Sequence, residues 1–140
     1  MIRFKDISLV FEGGSVALSN ITTNIDDGEF VYLIGPSGSG KSSFLKIIYK
    51  ELVPTNGEIE VTGINLNNLA NWRVPLIRRK LGIVLQEPKL LKDRTVNENI
   101  SFAMEVLGFA PGEVRTQVNQ LLSLVGIEHE AYKYPEQLSS

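Results

Sequence analysis

Residues Gly35-Pro36-Ser37-Gly38-Ser39-Gly40-Lys41-Ser42 lie between an apolar run, Phe30-Val31-Tyr32-Leu33-Ile34, and a helix-like run from Ser43 onward. Strand, glycine-rich loop and helix in that order form a phosphate-binding β–α unit, so the octapeptide predicts a nucleotide before anything else in the chain is read. Glycines at 35, 38 and 40 let the backbone curl so that successive N–H groups point inward and cradle phosphates. The helix beginning near Lys41 adds its positive dipole end. The Lys41 ammonium would sit between the terminal phosphates, and the Ser42 hydroxyl would help hold Mg²⁺, which takes its other ligands from water and phosphate oxygens. This pattern specifies binding, not hydrolysis, and does not choose among ATPases, GTPases and kinases.

A chain of 140 residues with 43% hydrophobic content can bury one substantial core, and one domain is the default expectation. Its 14 basic and 16 acidic side chains leave a formal charge of −2, so no broad positive field is available to hold nucleic acid. Arg73 with Arg78-Arg79-Lys80 is the one basic cluster, and it reads as a solvated helix face. No stretch of eighteen apolar residues occurs, and Met1-Ile2-Arg3-Phe4-Lys5 lacks the layout of a signal peptide, which leads to the expectation of a cytosolic chain. The absence of cysteine excludes a disulfide scaffold and a thiolate metal site.

Ile2 to Phe11 and Val16 to Ile25 alternate apolar residues among β-formers and read as antiparallel strands. Phe30 to Ile34 reads as a strand buried on both faces, followed by the loop and a helix through about Lys50. Glu58 to Val61 and Gly82 to Gln86 read as short strands, with a helix at 75–80 between them. From Thr95 the period becomes helical: Val96, Ile100, Ala103 and Leu107 share a face, and Gly108 ends the helix. A second helix opens at Pro111 with Val114, Val118, Leu121, Leu122 and Val125 as its stripe, before Gly126. Both stripes read as packing surfaces. The fold class is α/β, a P-loop NTPase core with an N-terminal antiparallel β part, followed by a small helical lobe.

Four further stretches resemble an ABC-type ATP-binding subunit. Phe11, in Val10-Phe11-Glu12-Gly13-Gly14, occupies the place where that family sets an aromatic against adenine, which base stacking explains. Gln86, in Leu85-Gln86-Glu87-Pro88, is similar to the Q-loop glutamine that meets Mg²⁺ or the attacking water and reports nucleotide state. Tyr134-Pro135-Glu136-Gln137-Leu138-Ser139-Ser140 resembles the approach to the signature that caps the γ-phosphate held by an opposing subunit. The stretch Val74 to Gly82, with Leu90 to Val96 beyond it, is similar to the FtsE group of cell-division ATP-binding proteins, as are Met1-Ile2-Arg3-Phe4 and Phe30-Val31-Tyr32-Leu33. Lipoprotein-release and macrolide-export ATPases share most of these motifs. The resemblance implies ATP and Mg²⁺ as cofactors. It implies a nucleotide set of Phe11, Val16, Gly35, Pro36, Ser37, Gly38, Ser39, Gly40, Lys41, Ser42 and Ser43, with Ser42 and Gln86 toward the metal. It also implies a homodimer of the full-length subunit, an FtsX-like membrane partner meeting Lys89 to Glu98, and a place on the inner face of the plasma membrane through that partner. In those terms, about residues 1–92 are the β part and core through the Q-loop, and about 93–140 the ABC helical lobe up to the signature.

The sequence departs from the family at points that bear on hydrolysis. No run of four apolar residues ending in Asp-Glu follows Gln86, so the Mg²⁺-supporting aspartate and the water-polarising glutamate are not among these residues. His129, the only histidine, lies in the helical lobe and reads as a surface residue, not the family's switch histidine. Ser140 stands where the family has its first signature glycine, and a Cβ there would obstruct backbone approach to phosphate. The favoured reading is a chain truncated before the later core strands, with an edge left open that should be internal. The alternative is a short, non-catalytic nucleotide-binding module.

Overall fold

β1 (Ile2–Val10) and β2 (Val16–Ile25) pair as an antiparallel hairpin, and β3 (Asn56–Val61) and β4 (Ile64–Asn65) complete a sheet in the order β2-β1-β3-β4. The computed structural model describes residues 1–86 and 89–138. In the central strand, Ile2 faces Ile25 on one side and Val61 on the other, and Phe4 faces Thr23 and Ile59. The two-residue period then breaks at Asp6, whose φ is 54° and whose N–H donates to Thr22 Oγ1 at 2.9 Å. A residue inserted into a strand inverts the faces beyond it, so Phe4, Ile7 and Leu9 all turn to the buried side although their spacing is uneven. β3 passes this bulge so closely that a Cβ on Gly57 would stand 2.4 Å from the Asp6 carbonyl oxygen.

α1 (Lys41–Ile48) lays Phe44 and Ile47 on the sheet, where they join Phe4, Ile7, Ile59 and Val61 in one core. The Phe44 ring stacks on Phe4 with centroids 4.2 Å apart and planes 7° from parallel. Such a pair contributes about 0.5–1.5 kcal/mol beyond the area it buries. α2 (Val74–Arg78) carries Pro75 in its first turn, where a missing N–H costs nothing, and adds Ile77 to the same core.

The chain divides into two compact units, Met1–Gly82 and Ile83–Ser140. The second is built on α3 (Val96–Leu107) and α4 (Pro111–Val125). α3 closes at Gly108 and α4 at Gly126, both in the left-handed region, and Pro111 opens α4, as the sequence punctuation predicts. The α3 face differs from the expected one. Val96, Ile100 and Met104 join the core, while Ala103 and Leu107 are exposed. On α4 the buried row is Val114, Val118 and Leu122, with Leu121 and Val125 outside it. Rows spaced by four and by three both satisfy the helical period, and on each helix the row spaced by four is the buried one. His129 is exposed, as expected, with its ring nitrogen 3.1 Å from Glu130.

Two expected strands are not strands. Phe30 to Ile34 and Gly82 to Gln86 have no ladder partner among the described residues, and Phe30, Tyr32, Ile34 and Val84 are largely exposed. A strand exists through its neighbours, and a run apolar on both faces needs them on both sides. Phe30 and Tyr32 nevertheless meet edge to face at 5.0 Å, the same-side placement of an extended backbone. Among the described residues no helix is long and apolar enough to cross a membrane.

α3 begins with a reciprocal cap. The Thr95 N–H and hydroxyl both donate to Glu98 Oε2, at 2.7 and 2.8 Å, and the Glu98 N–H donates to Thr95 Oγ1 at 3.3 Å. The Thr95 N–H, and then its hydroxyl, hold the Glu98 carboxyl below its ordinary range. A carboxyl depressed in the folded state stabilises it above the unfolded pKa and ceases to do so as pH falls through the folded one. The stability gap between wild type and Glu98→Gln in urea should therefore be present at neutral pH and close below the carboxylate range. Ile47→Ala should cost about 2–5 kcal/mol in the same assay, while Leu45→Ala, on the exposed side of α1, should stay within about 0.5 kcal/mol.

Candidate phosphate-binding site

The glycine-rich loop ends on Gly40, which stands at the N-cap of α1 with φ 87°. A Cβ there would lie 2.3 Å from the Ala17 carbonyl oxygen and 2.9 Å from Leu18 Cδ2, so the loop rests on the beginning of β2 with no room for a side chain. Val16 immediately precedes that contact and Phe11 lies in the turn before it, where its N–H donates to Ser15 O at 2.9 Å. Both side chains are exposed, Phe11 at 43% and Val16 at 61% of full area.

Lys41 closes the loop. Its ammonium donates to the carbonyl oxygens of Gly35 at 2.8 Å and Pro36 at 2.6 Å, and lies 3.4 Å from Ser39 Oγ. Gly35 abuts Ser39, since a Cβ on it would be 2.7 Å from that hydroxyl. The loop is thus folded around its own cation, while Ser37, Gly38 and Ser42 face solvent. α1 has no side-chain cap, so its leading N–H groups are offered to whatever the loop holds. Unpaired donors at a helix start, a positive dipole end and an adjacent ammonium together fit a polyphosphate anion. The Ser42 hydroxyl, on the second residue of α1, fits the ligand that a phosphate-bound Mg²⁺ takes from a protein.

The other end of α1 is held by cations. Arg78 donates through Nε to Tyr49 O at 3.0 Å and through a terminal nitrogen to Lys50 O at 3.2 Å, while Lys50, at φ 53°, reaches Leu66 O at 2.6 Å and also Leu69 O. Lys46 pairs with Glu51 at 2.9 Å, a contact that holds the Glu51 carboxyl below its ordinary range and the Lys46 ammonium above it. Arg73, Arg78, Arg79 and Lys80 are all exposed, as a solvated face requires, and two of them also make contacts. Arg78 ties α2 to the end of α1, and Arg73 lies over the Trp72 ring at 5.2 Å.

Phe11, Val16 and Gly35 to Ser43 all belong to the unit Met1–Gly82. Gln86 belongs to the other unit, Ile83–Ser140, where it stands at an exposed bend. Glu87 and Pro88, beside that glutamine, and Ser139 and Ser140, at the signature-like end, lie outside the described residues. Leading to that end, Pro135–Gln137 forms a 3₁₀ turn closed by the Tyr134 N–H donating to Gln137 Oε1 at 2.8 Å. Sequence reasoning missed the contact of Gly40 with Ala17 and the Arg78 clamp, because neither has a local signal. It also passed over the Thr95-x-x-Glu98 cap, whose spacing does carry one.

Gly40→Ala should destabilise the chain by more than about 1 kcal/mol, through both its positive φ and the Ala17 contact. Gly82→Ala, with open space around it and no positive φ, should stay within about 0.5 kcal/mol in the same denaturation assay.

The sequence matches the ABC transporter family over residues 18–140. It is 43% identical over 139 residues to the cell division ATP-binding protein FtsE of Bacillus subtilis, covering 99% of this chain and 61% of that protein. To FtsE of Escherichia coli it is 37% identical, covering 99% of this chain and 63% of the relative. Among solved structures, it is 34% identical to a dimeric ATP-binding cassette in a post-hydrolysis state bound to ADP and Pi, with a TM-score of 0.89 over 99% of this chain and 63% of that one. A dimeric bacterial ABC transporter cassette, also 34% identical, gives a TM-score of 0.90 over 100% of this chain and 64% of the other. The chain thus spans less than two thirds of the length of these relatives. A family match that begins in β2 and takes in the loop, α1 and both helices of the second unit establishes that this chain belongs to the ABC transporter family.

Proposed function

We propose that this chain is the nucleotide-binding part of an ABC-type ATPase subunit of the FtsE kind, serving bacterial cell division. The observation that carries the reading is the uncapped start of α1, where backbone donors, the Lys41 ammonium and the closed loop converge. Gly35 to Ser43 would hold the phosphates, Phe11 and Val16 would lie against the base, and Ser42 with Gln86 would face Mg²⁺. The bound cation would neutralise phosphate charge, and the loop's fixed donors would stabilise the charge that develops on the transferring group. The 43% identity to a cell-division protein supports that role over lipoprotein release or export.

In this reading the full-length subunit works as a homodimer in which the segment ending in Leu138-Ser139-Ser140 of one copy faces the nucleotide of the other. An FtsX-like membrane subunit meets Lys89 to Glu98 and holds the assembly on the cytoplasmic side of the plasma membrane. Residues 1–92 or so form the β part and core, and the remainder the helical lobe. Phe30 to Ile34 and Gly82 to Gln86 become core strands when the neighbours present in a whole cassette pair with them. The 140 residues alone bind nucleotide without turning it over, since the apolar run ending in Asp-Glu is not among them.

Lys41→Ala should weaken MgATP binding at least about tenfold in the 140-residue chain and abolish turnover by the full-length subunit, because it removes the charge-assisted donor to the terminal phosphates. Isothermal titration and phosphate release measure the two effects. Normal turnover by full-length Lys41→Ala would refute the site. Phosphate release by the pure 140-residue chain would refute binding without hydrolysis.

A further inference from the structure

Asn99, on the first turn and a half of α3, uses every polar atom of its carboxamide on the backbone before it. Its Oδ1 accepts the Leu91 N–H at 2.8 Å, and the two N–H groups of its Nδ2 are shared among the carbonyl oxygens of Leu91 at 3.0 Å, Arg94 at 3.0 Å and Thr95 at 2.9 Å. The paired bonds to Leu91 mimic a strand partner, and only a carboxamide offers donor and acceptor in that geometry. The side chain is half-buried, so an unmet partner there would cost more than a bond exposed to water. The same first turn is bonded on its other side. The Val96 N–H donates to Lys133 O and the Asn97 N–H to Ala131 O, both at 2.9 Å. Ala131 is buried in the core of this unit, and residues 131–133 lead into the 3₁₀ turn Pro135–Gln137.

The start of α3 therefore joins two segments that are far apart in sequence: 91–95, following Gln86, and 131–138, running to the signature-like end. We propose that Asn99 is a positioning residue that fixes segment 91–95 and, through the first turn of α3, locks its placement to that of 131–138. This rests on the proposed function, in which the first segment meets a membrane-embedded partner subunit and the second faces nucleotide. Asn99 touches neither partner nor nucleotide in this scheme. Its effect is to make the two segments move as one piece.

The test uses the full-length subunit assembled with its membrane partner. Asn99→Asp keeps the size of the side chain and the acceptor for the Leu91 N–H, but turns a carboxylate oxygen toward three carbonyl oxygens. The MgATP dissociation constant of the variant should stay within about twofold of wild type, while the gain in ATP turnover on adding partner should fall by about tenfold. Asn119→Asp, which adds the same charge at an exposed position of α4, should keep the gain. Equal gains in wild type and Asn99→Asp would overturn the role of Asn99, as would equal losses in Asn99→Asp and Asn119→Asp. Hydrogen exchange in wild type needs no variant: the Leu91 amide should exchange at least about tenfold more slowly than an unstructured amide, and free exchange there would overturn the clamp. Wild type that shows no partner-dependent gain would instead refute the proposed function, and the coupling role with it.

Discussion

The stack of Phe44 on Phe4 decides where α1 sits, and with it where the phosphate-binding loop can form. A glycine-rich loop has little structure of its own, and with Phe30 to Ile34 before it unpaired among the described residues, the helix after it is what holds it. Here α1 is held by a core that reaches from Phe4, Ile7 and Leu9 on β1 through Ile59 and Val61 on β3 to Ile77 on α2. The bulge at Asp6 is part of that arrangement. If the same residues ran as a regular strand with no bulge, Ile7 and Leu9 would turn to the opposite face from Phe4 and leave the core beneath α1.

Packing sets the position of α1, and polar contacts set its two ends. At the far end, Arg78 satisfies the carbonyls of Tyr49 and Lys50, and the cations there oppose the negative end of the helix dipole. At the near end Gly40 lies against the Ala17 carbonyl, which brings the β1–β2 turn beside the loop. The exposed side chains of Phe11 and Val16 and the glycine-rich loop thus share one scaffold. The hairpin meets the loop at Gly40, where the approach of the two backbones leaves no room for a side chain.

The elements that could be read from sequence are those whose cause is local. Pro111, Gly108 and Gly126 punctuate the helices where the structure starts and ends them, and the loop octapeptide stands at the head of α1 as its spacing requires. Failures occur where the cause is distant. Phe30 to Ile34 has the composition of a buried strand, but a ladder needs a neighbour, and none pairs with it among the described residues. On α3 the sequence admits both Ala103 and Met104 to the apolar face, and packing in the helical unit selects Met104. Arg78 and Asn99 carry no sequence signal at all, because their partners are backbone carbonyls brought near by the fold.

Two helix starts in this chain show how the same backbone chemistry serves opposite ends. Every helix begins with N–H groups that have no partner within it. On α3 the Glu98 N–H goes to Thr95, and those of Val96 and Asn97 go to the carbonyls of Lys133 and Ala131, so the helix start is a structural joint. On α1 no side chain caps the turn, and the nearest charge is an ammonium held by the carbonyls of its own loop. A helix start whose donors are all met cannot also hold an anion, and one left open beside a cation favours an anion over water. The division of labour between the two units follows from this hydrogen-bond accounting. The first unit leaves its helix start uncapped beside an ammonium, while the second directs the start of α3 to carbonyls from a distant part of its own chain.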